Sequence, residues 1–405
     1  MRRARLGGLA LLVSMAALTG TARANWTPPL AIGVSGGPPV TPDVALDAAG
    51  DSTFVWQRVF GHHDSRVQLR RRSADGTLGT ARTLSTPGYA AGSGRGVDVA
   101  PNGDAVVVWG LHRVQARAVA ADGTLGPIQA ISPRTDGYFF PQPQVVVDRF
   151  GNATFVWTSP HGDIRSRMRF ADGTLGPVHP VTAGKDSYYG SVGVDAAGDA
   201  IFAWVDEQSH GIRARVRALD GTWGPIHRVT DGGPISGLRL AVDPGGDAVF
   251  AWTRGFDDAS LVSRSLAADG TFSPAARISA SVSGDIGVAI TAAGRAVLVW
   301  RAWTGEDGVI QARTRAPSGS LTPVQTLSRG FLGAPEVGVD EAGNAVFTWF
   351  TFDGIEVRAR ANDGTLGPTT MLGPGDAGPS VAVNPAGDAT VAWNSGVREQ
   401  AAFGP

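Results

Sequence analysis

One tryptophan recurs along this chain, at Trp56, Trp109, Trp157, Trp204, Trp252, Trp300, Trp349 and Trp393, with spacings of 53, 48, 47, 48, 48, 49 and 44 residues. A period of that length means that one supersecondary unit is copied along the chain, and that each copy needs neighbours to bury its apolar face. The clearest copy, residues 192–230, reads VGVDAAGDAIFAW, a loop, then IRARVRALDGTWGPIHRVT. Its first strand is short and β-branched, as in Val145-Val146-Val147, and meets a turn of the form Asp-x-x-Gly-Asp. Glycine holds the same place in that turn from Gly50 to Gly387, which implies a left-handed backbone there. The second strand runs into the tryptophan and is apolar on both faces, the mark of a covered central strand. The third alternates, as in Ile212-Arg213-Ala214-Arg215, and closes in an Asp-Gly turn such as Asp220-Gly221, a strong hairpin signal. The fourth follows a Gly-Pro and ends in Ser or Thr. No segment carries a helical period.

Four short antiparallel strands copied eight times predict an all-β, eight-bladed β-propeller, each blade packed on the next. A buried tryptophan removes about 150–250 Å² from water, at most roughly 4–6 kcal/mol, so eight of them could hold a ring without disulfides. The ends of the chain predict how the ring closes. The last copy stops after its third strand, around residues 397–403, while Asn25-Trp26-Thr27-Pro28-Pro29-Leu30-Ala31-Ile32-Gly33-Val34-Ser35 matches the fourth-strand text. The N-terminal strand is therefore expected to complete the last blade and leave no open sheet.

The turn Leu219-Asp220-Gly221-Thr222-Trp223-Gly224-Pro225 resembles a degenerate Asp-box, the motif of bacterial secreted β-propeller repeat proteins of the sialidase-like (BNR-type) group. Other copies carry Leu125 or Phe272 in place of the tryptophan, and only the first has the serine, Ser73. The resemblance implies propeller geometry and a secreted, often glycan-related setting. It does not imply sialidase activity, because the three-arginine cluster and tyrosine-glutamate pair of those enzymes align with nothing here.

Residues 1–24 read as an export leader, with Arg2, Arg3 and Arg5 ahead of an apolar run and Ala22-Arg23-Ala24 at the cleavage point. Residues 25–405 are then one propeller domain, secreted or otherwise extracytoplasmic, with no membrane span. Four of the 35 basic residues lie in the leader, which leaves 31 against 36 acids. That balance argues against a nucleic-acid binder, which needs a basic face. The chain has no cysteine, so packing must hold it together.

The four-strand plan sorts the loops. First-to-second and third-to-fourth turns share one face and are nearly invariant; second-to-third loops and blade crossings share the other and vary. Variable loops on a rigid scaffold are where binding resides. All four tyrosines (Tyr89, Tyr138, Tyr188, Tyr189) fall in crossings, with Phe139, Phe140 and Phe331 beside them. Arg58, His62, His63, Asp206, Glu207, His210, Asp257, Asp258, Trp303, Glu306, Asp353 and Glu356 fall in second-to-third loops. Aromatic platforms mixed with carboxylates and arginines suit a sugar or a peptide. The first expectation is therefore a non-enzymatic, monomeric propeller that binds a glycan, protein or cell-envelope partner through this face. A second is a polysaccharide hydrolase or lyase built from Tyr188, Tyr189, Asp206, Glu207 and His210, and a third is a purely structural surface protein. No cofactor and no metal site is expected. The Asp-x-x-Gly-Asp turns look superficially calcium-like, but Ala100, Thr291 and Arg295 break the pattern, and an aspartate capping its own backbone explains it. Arginines near the end of the third strand (Arg70, Arg117, Arg167, Arg215, Arg264, Arg313, Arg360, with Gln400 in the last copy) are expected to stack on aromatics or pair with turn carboxylates.

Overall fold

In the computed structural model the described residues are 26–33, 42–61, 64–88, 95–110, 112–134, 141–182, 184, 186–230, 232–255, 259–304, 307–330, 332–375, 378–396 and 398–404. They form 32 strands and no helix. The strands assemble into eight antiparallel four-stranded sheets. Blade four shows the local logic in its strands Ser187–Val194, Ala200–Asp206, Gly211–Arg217 and His227–Thr230. Asp195 Oδ1 accepts the Asp199 N–H at 2.9 Å, which ties the first turn to its own backbone. Gly198 sits in that turn at φ +89°, where a side chain would strain the backbone. Asp220 Oδ1 caps the other turn by accepting the Thr222 N–H at 2.8 Å. The turn aspartates are thus backbone caps, as read from the sequence.

The core is not inside each blade but between blades. Eight clusters of buried side chains each join two neighbouring blades, and each contains the tryptophan of the later blade. Trp300 of blade six, for example, packs with Val249, Ala251, Leu261 and Ile278 of blade five. The second strands are buried on both faces because a blade covers each side. First strands touch first strands all the way round, with Asp43–Leu46 against both Arg95–Val99 and Ser380–Val383. The ring is closed around an axial channel.

Closure uses the N-terminal strand as expected. Leu30–Ala31 pairs antiparallel with Glu399–Gly404 in the eighth sheet. Thr27 N–H donates to Phe403 O at 2.9 Å and Ile32 N–H to Glu399 O at 3.1 Å. Ile32 is fully buried, and the Glu399 carboxyl occupies the place a Gly33 Cβ would take.

The arginine series corrects the sequence reading in two ways. The register places Arg358, not Arg360, in line with Arg70, and Ala402, not Gln400, in the last blade. Their targets are backbone carbonyls rather than turn carboxylates. In all seven arginine-bearing blades Nε donates to the fourth strand's start, from Arg70 to Gly79 O at 2.6 Å through Arg358 to Gly367 O at 2.8 Å. In six, Nη1 reaches back to a carbonyl of the preceding blade, as Arg358 does to Leu327 O at 2.8 Å. Sequence spacing missed this because a guanidinium reaches across blades. Stacking appears in two copies, Arg215 on Trp223 and Arg264 on Phe272.

Candidate functional site

Blade four gathers one of the sequence-predicted groups. Tyr188 and Tyr189 lie not in a free crossing but at the start of the strand Ser187–Val194, with their rings edge-on at 5.0 Å. Ser187 pairs with Asp206 and Tyr188 with Val205, so the crossing and the second-to-third loop of the blade meet. Glu207 N–H donates to Asp186 O at 3.0 Å, and His210 N–H donates to Glu207 O at 3.1 Å. Asp206 accepts the Ser209 hydroxyl at 2.8 Å and stands 3.6 Å from Arg213. Asp186, Tyr189 and His210 adopt φ of +63°, +54° and +47°, a left-handed backbone that costs of order 1 kcal/mol or more each outside glycine. A bulge between Tyr188 and Ser191 bends the strand here. Partial burial raises the Tyr188 pKa above its ordinary value, and the Glu207 and Tyr189 charges act in the same direction.

The remaining predicted residues do not join this group. Arg58, Trp303 and Asp353 stand on blades one, six and seven, none of which adjoins blade four. Arg58 and Trp303 are also not loop residues: their hairpins lengthen into Ser52–Gly61 and Ala296–Thr304, because cross-strand partners such as Arg66 opposite Arg58 extend the ladder. Glu356 is likewise in a strand, where its carboxylate accepts the Trp349 indole N–H at 2.9 Å. Tyr89, Tyr138, Phe139, Phe140, His62, His63, Asp257, Asp258, Glu306 and Phe331 lie outside the described residues.

Four of the six exposed rings among the described residues mark the same face, while Phe150 and Phe170 are exposed on the turn face, Phe150 beneath Arg149 at 4.7 Å. Phe60, Trp303 and Phe352 sit at the tips of second-to-third hairpins and are 45 %, 46 % and 83 % exposed, while Tyr189 is 43 % exposed. Arg58 and Arg66 lie over the Phe60 ring at 4.8 and 4.5 Å, and Arg301 lies over Trp303 at 4.8 Å. Trp303 Nε1 donates to Ser283 Oγ at 3.0 Å, and Asp353 follows Phe352 in a tight turn capped by Thr351. Phe60 and Phe352 were not singled out in the sequence, although their place at hairpin tips was the available signal.

The axial channel holds charges that sequence reasoning missed. Innermost strands present unpaired backbone groups to the channel, and carboxylates answer them. Asp43 accepts N–H bonds from Val44 at 3.0 Å and from Val97 of the next blade at 3.3 Å. Asp98 does the same for Val99 at 2.9 Å and Val147 at 2.6 Å. Burial pushes Asp98 up to about 6 and Glu336 up to about 7; Asp285 and Asp43 add to the Glu336 shift and Arg239 opposes it. The signal was a charge at one fixed first-strand position (Asp43, Arg239, Glu336) within otherwise apolar text.

Because the native state holds the Glu336 proton more tightly than an unfolded chain with the ordinary value of 4.5, this group's contribution is greatest at low pH. It diminishes as pH rises from 4.5 to about 7 and stays lost above. Urea unfolding across that window is expected to show the wild-type free energy falling relative to Glu336→Gln. Parallel curves for the two proteins would contradict the burial argument.

Four cavities lined by described residues, of about 470, 330, 290 and 220 Å³, open between blades on the turn face, not on the loop-rich one. Among the described residues, no group of three or more His, Cys, Asp or Glu is placed to hold a metal ion, and no helix is long and apolar enough to cross a membrane.

The fold and channel define the class: an eight-bladed β-propeller with four-stranded blades, latched by its N-terminal strand. Among solved structures it is similar to the Dos1 propeller (TM-score 0.60, 9% identity, 94% of this chain and 95% of that one). It is similar also to the WD40 domain of SCAP from fission yeast (TM-score 0.59, 8% identity, 93% and 94%). A third is the PL25 polysaccharide lyase, an ulvan lyase bound to -[GlcA(1-4)Rha3S]- (TM-score 0.54, 10% identity, 83% and 96%). At such identities the likeness is one of fold. No protein-family model matches the chain, and no curated protein does.

Proposed function

We propose that the chain is an exported, non-enzymatic binding propeller that holds a carbohydrate chain across its loop-rich face. The observation that carries this reading is that four of the six exposed rings among the described residues, Phe60, Tyr189, Trp303 and Phe352, share the loop-rich face, two of them beneath arginine guanidinium groups. The apolar face and polar neighbours of each ring match a sugar ring with its hydroxyls. Their spread over blades one, four, six and seven suits an extended polymer better than a small molecule. The leader-like text of residues 1–24 supports export, and a ring closed on itself suits action as a monomer.

The hydrolase or lyase alternative draws on Tyr188, Tyr189, Asp206, Glu207 and His210, and on the likeness to a polysaccharide lyase fold. Its chemistry is disfavoured at Tyr188. A tyrosine base works through a lowered pKa, whereas burial and the Glu207 charge push this one the other way.

Affinity electrophoresis on a panel of neutral and acidic polysaccharides tests the proposal. At least one polymer is expected to retard the protein, and Tyr189→Ala or Trp303→Ala to weaken that retardation about tenfold, the loss of one stacking contact. No retardation by any polymer, or retardation indifferent to both substitutions, would overturn it. Accumulation of new reducing or unsaturated ends that Tyr188→Phe abolishes would favour the enzyme.

A further inference from the structure

The turn face is built from repeated acids, and one blade breaks the pattern. The last residue of the first turn is Asp51, Asp104, Asn152, Asp199, Asp247, Asn344 and Asp388 in seven copies, but Arg295 in blade six. Elsewhere this side chain braces the fold, and Asp51, Asp104 and Asp247 each accept the N–H of the alanine that opens their blade's second turn, at 2.8–2.9 Å. In blade six that alanine is replaced by Pro317, which has no N–H to offer. The acceptor and its donor are therefore missing together, and the side chain at position 295 no longer braces its own blade's second turn. Two further acids are absent from the same blade, where Thr291 and Ser318 stand in place of the usual aspartates.

The largest of the four cavities, about 470 Å³, lies between blades six and seven directly at this substitution. Pockets for small molecules run from about 300 to 1,000 Å³. Arg295 and Arg360 both line it. Arg360 is 5 % exposed and lies 5.3 Å from the Phe347 ring centre. Its partners are neutral: Nη2 donates to Thr314 Oγ1 at 2.8 Å and Nη1 to Gln325 Oε1 at 3.3 Å. Burial holds its guanidinium below the ordinary pKa, with no carboxylate opposing that shift, whereas Arg217 in the blade-four groove has Asp199 and Asp220. Arg295 Nη1 donates to Asn362 Oδ1 at 2.9 Å. The one carboxylate on the rim, Asp363, is tied to its own turn by the Thr365 N–H at 2.8 Å. A buried cation without a counter-charge is costly, and an anion in the groove would relieve that cost.

We infer that the groove between blades six and seven is an anion-binding site, formed by Arg295, Arg360, Thr314 and Gln325, for a carboxylate or sulfate group on a molecule of about monosaccharide to disaccharide size. It lies on the face opposite Phe60, Tyr189, Trp303 and Phe352 and is independent of the carbohydrate reading given for them.

Calorimetric titration of the full chain with sodium glucuronate and with sodium sulfate, at ionic strength matched with sodium chloride, tests the site. Saturable binding of either is expected, weakened about tenfold or more in Arg295→Asp, which restores the residue other blades carry. Arg295 is exposed, so this variant should fold, and its unchanged thermal midpoint in chloride would confirm that. Tighter binding of glucuronate than of sulfate would show that the cavity walls read the sugar as well as the charge; equal binding would show that the anion alone is read. Heats indistinguishable from chloride, or binding equal in wild type and Arg295→Asp, would overturn the inference.

Discussion

A chain lacking residues 26–33 is expected to lose its cooperative thermal transition and to associate through the exposed edge of Glu399–Gly404. Those eight residues supply the strand that covers the outer edge of the eighth sheet. They also carry fully buried Ile32, half-buried Leu30, and Trp26, which packs into the interface between blades seven and eight. Two aliphatic side chains and part of an indole are worth on the order of 5 kcal/mol, before the lost ladder bonds are counted. A domain's whole stability is about 5–15 kcal/mol. The uncovered edge is also a template for pairing with other chains. A synthetic peptide spanning residues 26–35, added in trans, should restore the transition in a concentration-dependent way. A milder variant is Gly33→Val, whose side chain would collide with the Glu399 carboxyl. Circular dichroism melting with size-exclusion chromatography reads both. An unchanged midpoint in the truncated chain would mean that the ring stands without its latch.

Trp300→Ala is expected to destabilise the fold by about 3–5 kcal/mol, the range for deleting a large buried aromatic. Trp300 is fully buried and its indole N–H has no hydrogen-bond partner, so its contribution is apolar packing against blade five. Trp349 is equally buried but donates to Glu356, whose carboxylate also accepts the Ser328 hydroxyl at 3.2 Å. Phenylalanine keeps most of the ring and removes the donor. Trp349→Phe should therefore cost more than Trp300→Phe by about 1–3 kcal/mol, the loss of a bond to a charged acceptor. Urea unfolding of the three variants measures both effects. Equal losses in the two phenylalanine variants would show that the indole–carboxylate bond contributes nothing net.

These tryptophans also show how far the repeat could be read. The tryptophan period, the turn glycine and the split fourth strand were visible in the text because each depends on local backbone geometry or on burial, and both leave marks in single residues. Glu356 was misread as a loop residue because nothing local says that a carboxylate will meet an indole on the next strand. Arg360 was placed in the wrong register for a similar reason. Arg358 and Arg360 lie two residues apart on an alternating strand, so both point to the same face, and only the ladder to Phe347 shows which one aligns with Arg70. Tyr188, Tyr189, Asp206, Glu207 and His210 could be grouped in advance because a crossing and its own blade's loop must share a face. The long hairpins that display Phe60 and Trp303 could not, since hairpin length depends on cross-strand pairs.

The linear text determined the number of blades, the strands within each, and the place where the ring closes, because these follow from periodicity and turn chemistry that neighbouring residues enforce on one another. What meets across blades was settled by folding. Asp43 bonding to Val97, Arg358 reaching Leu327 and Arg295 lining one groove with Arg360 join residues 31–65 positions apart, and only the closed wheel brings them within reach.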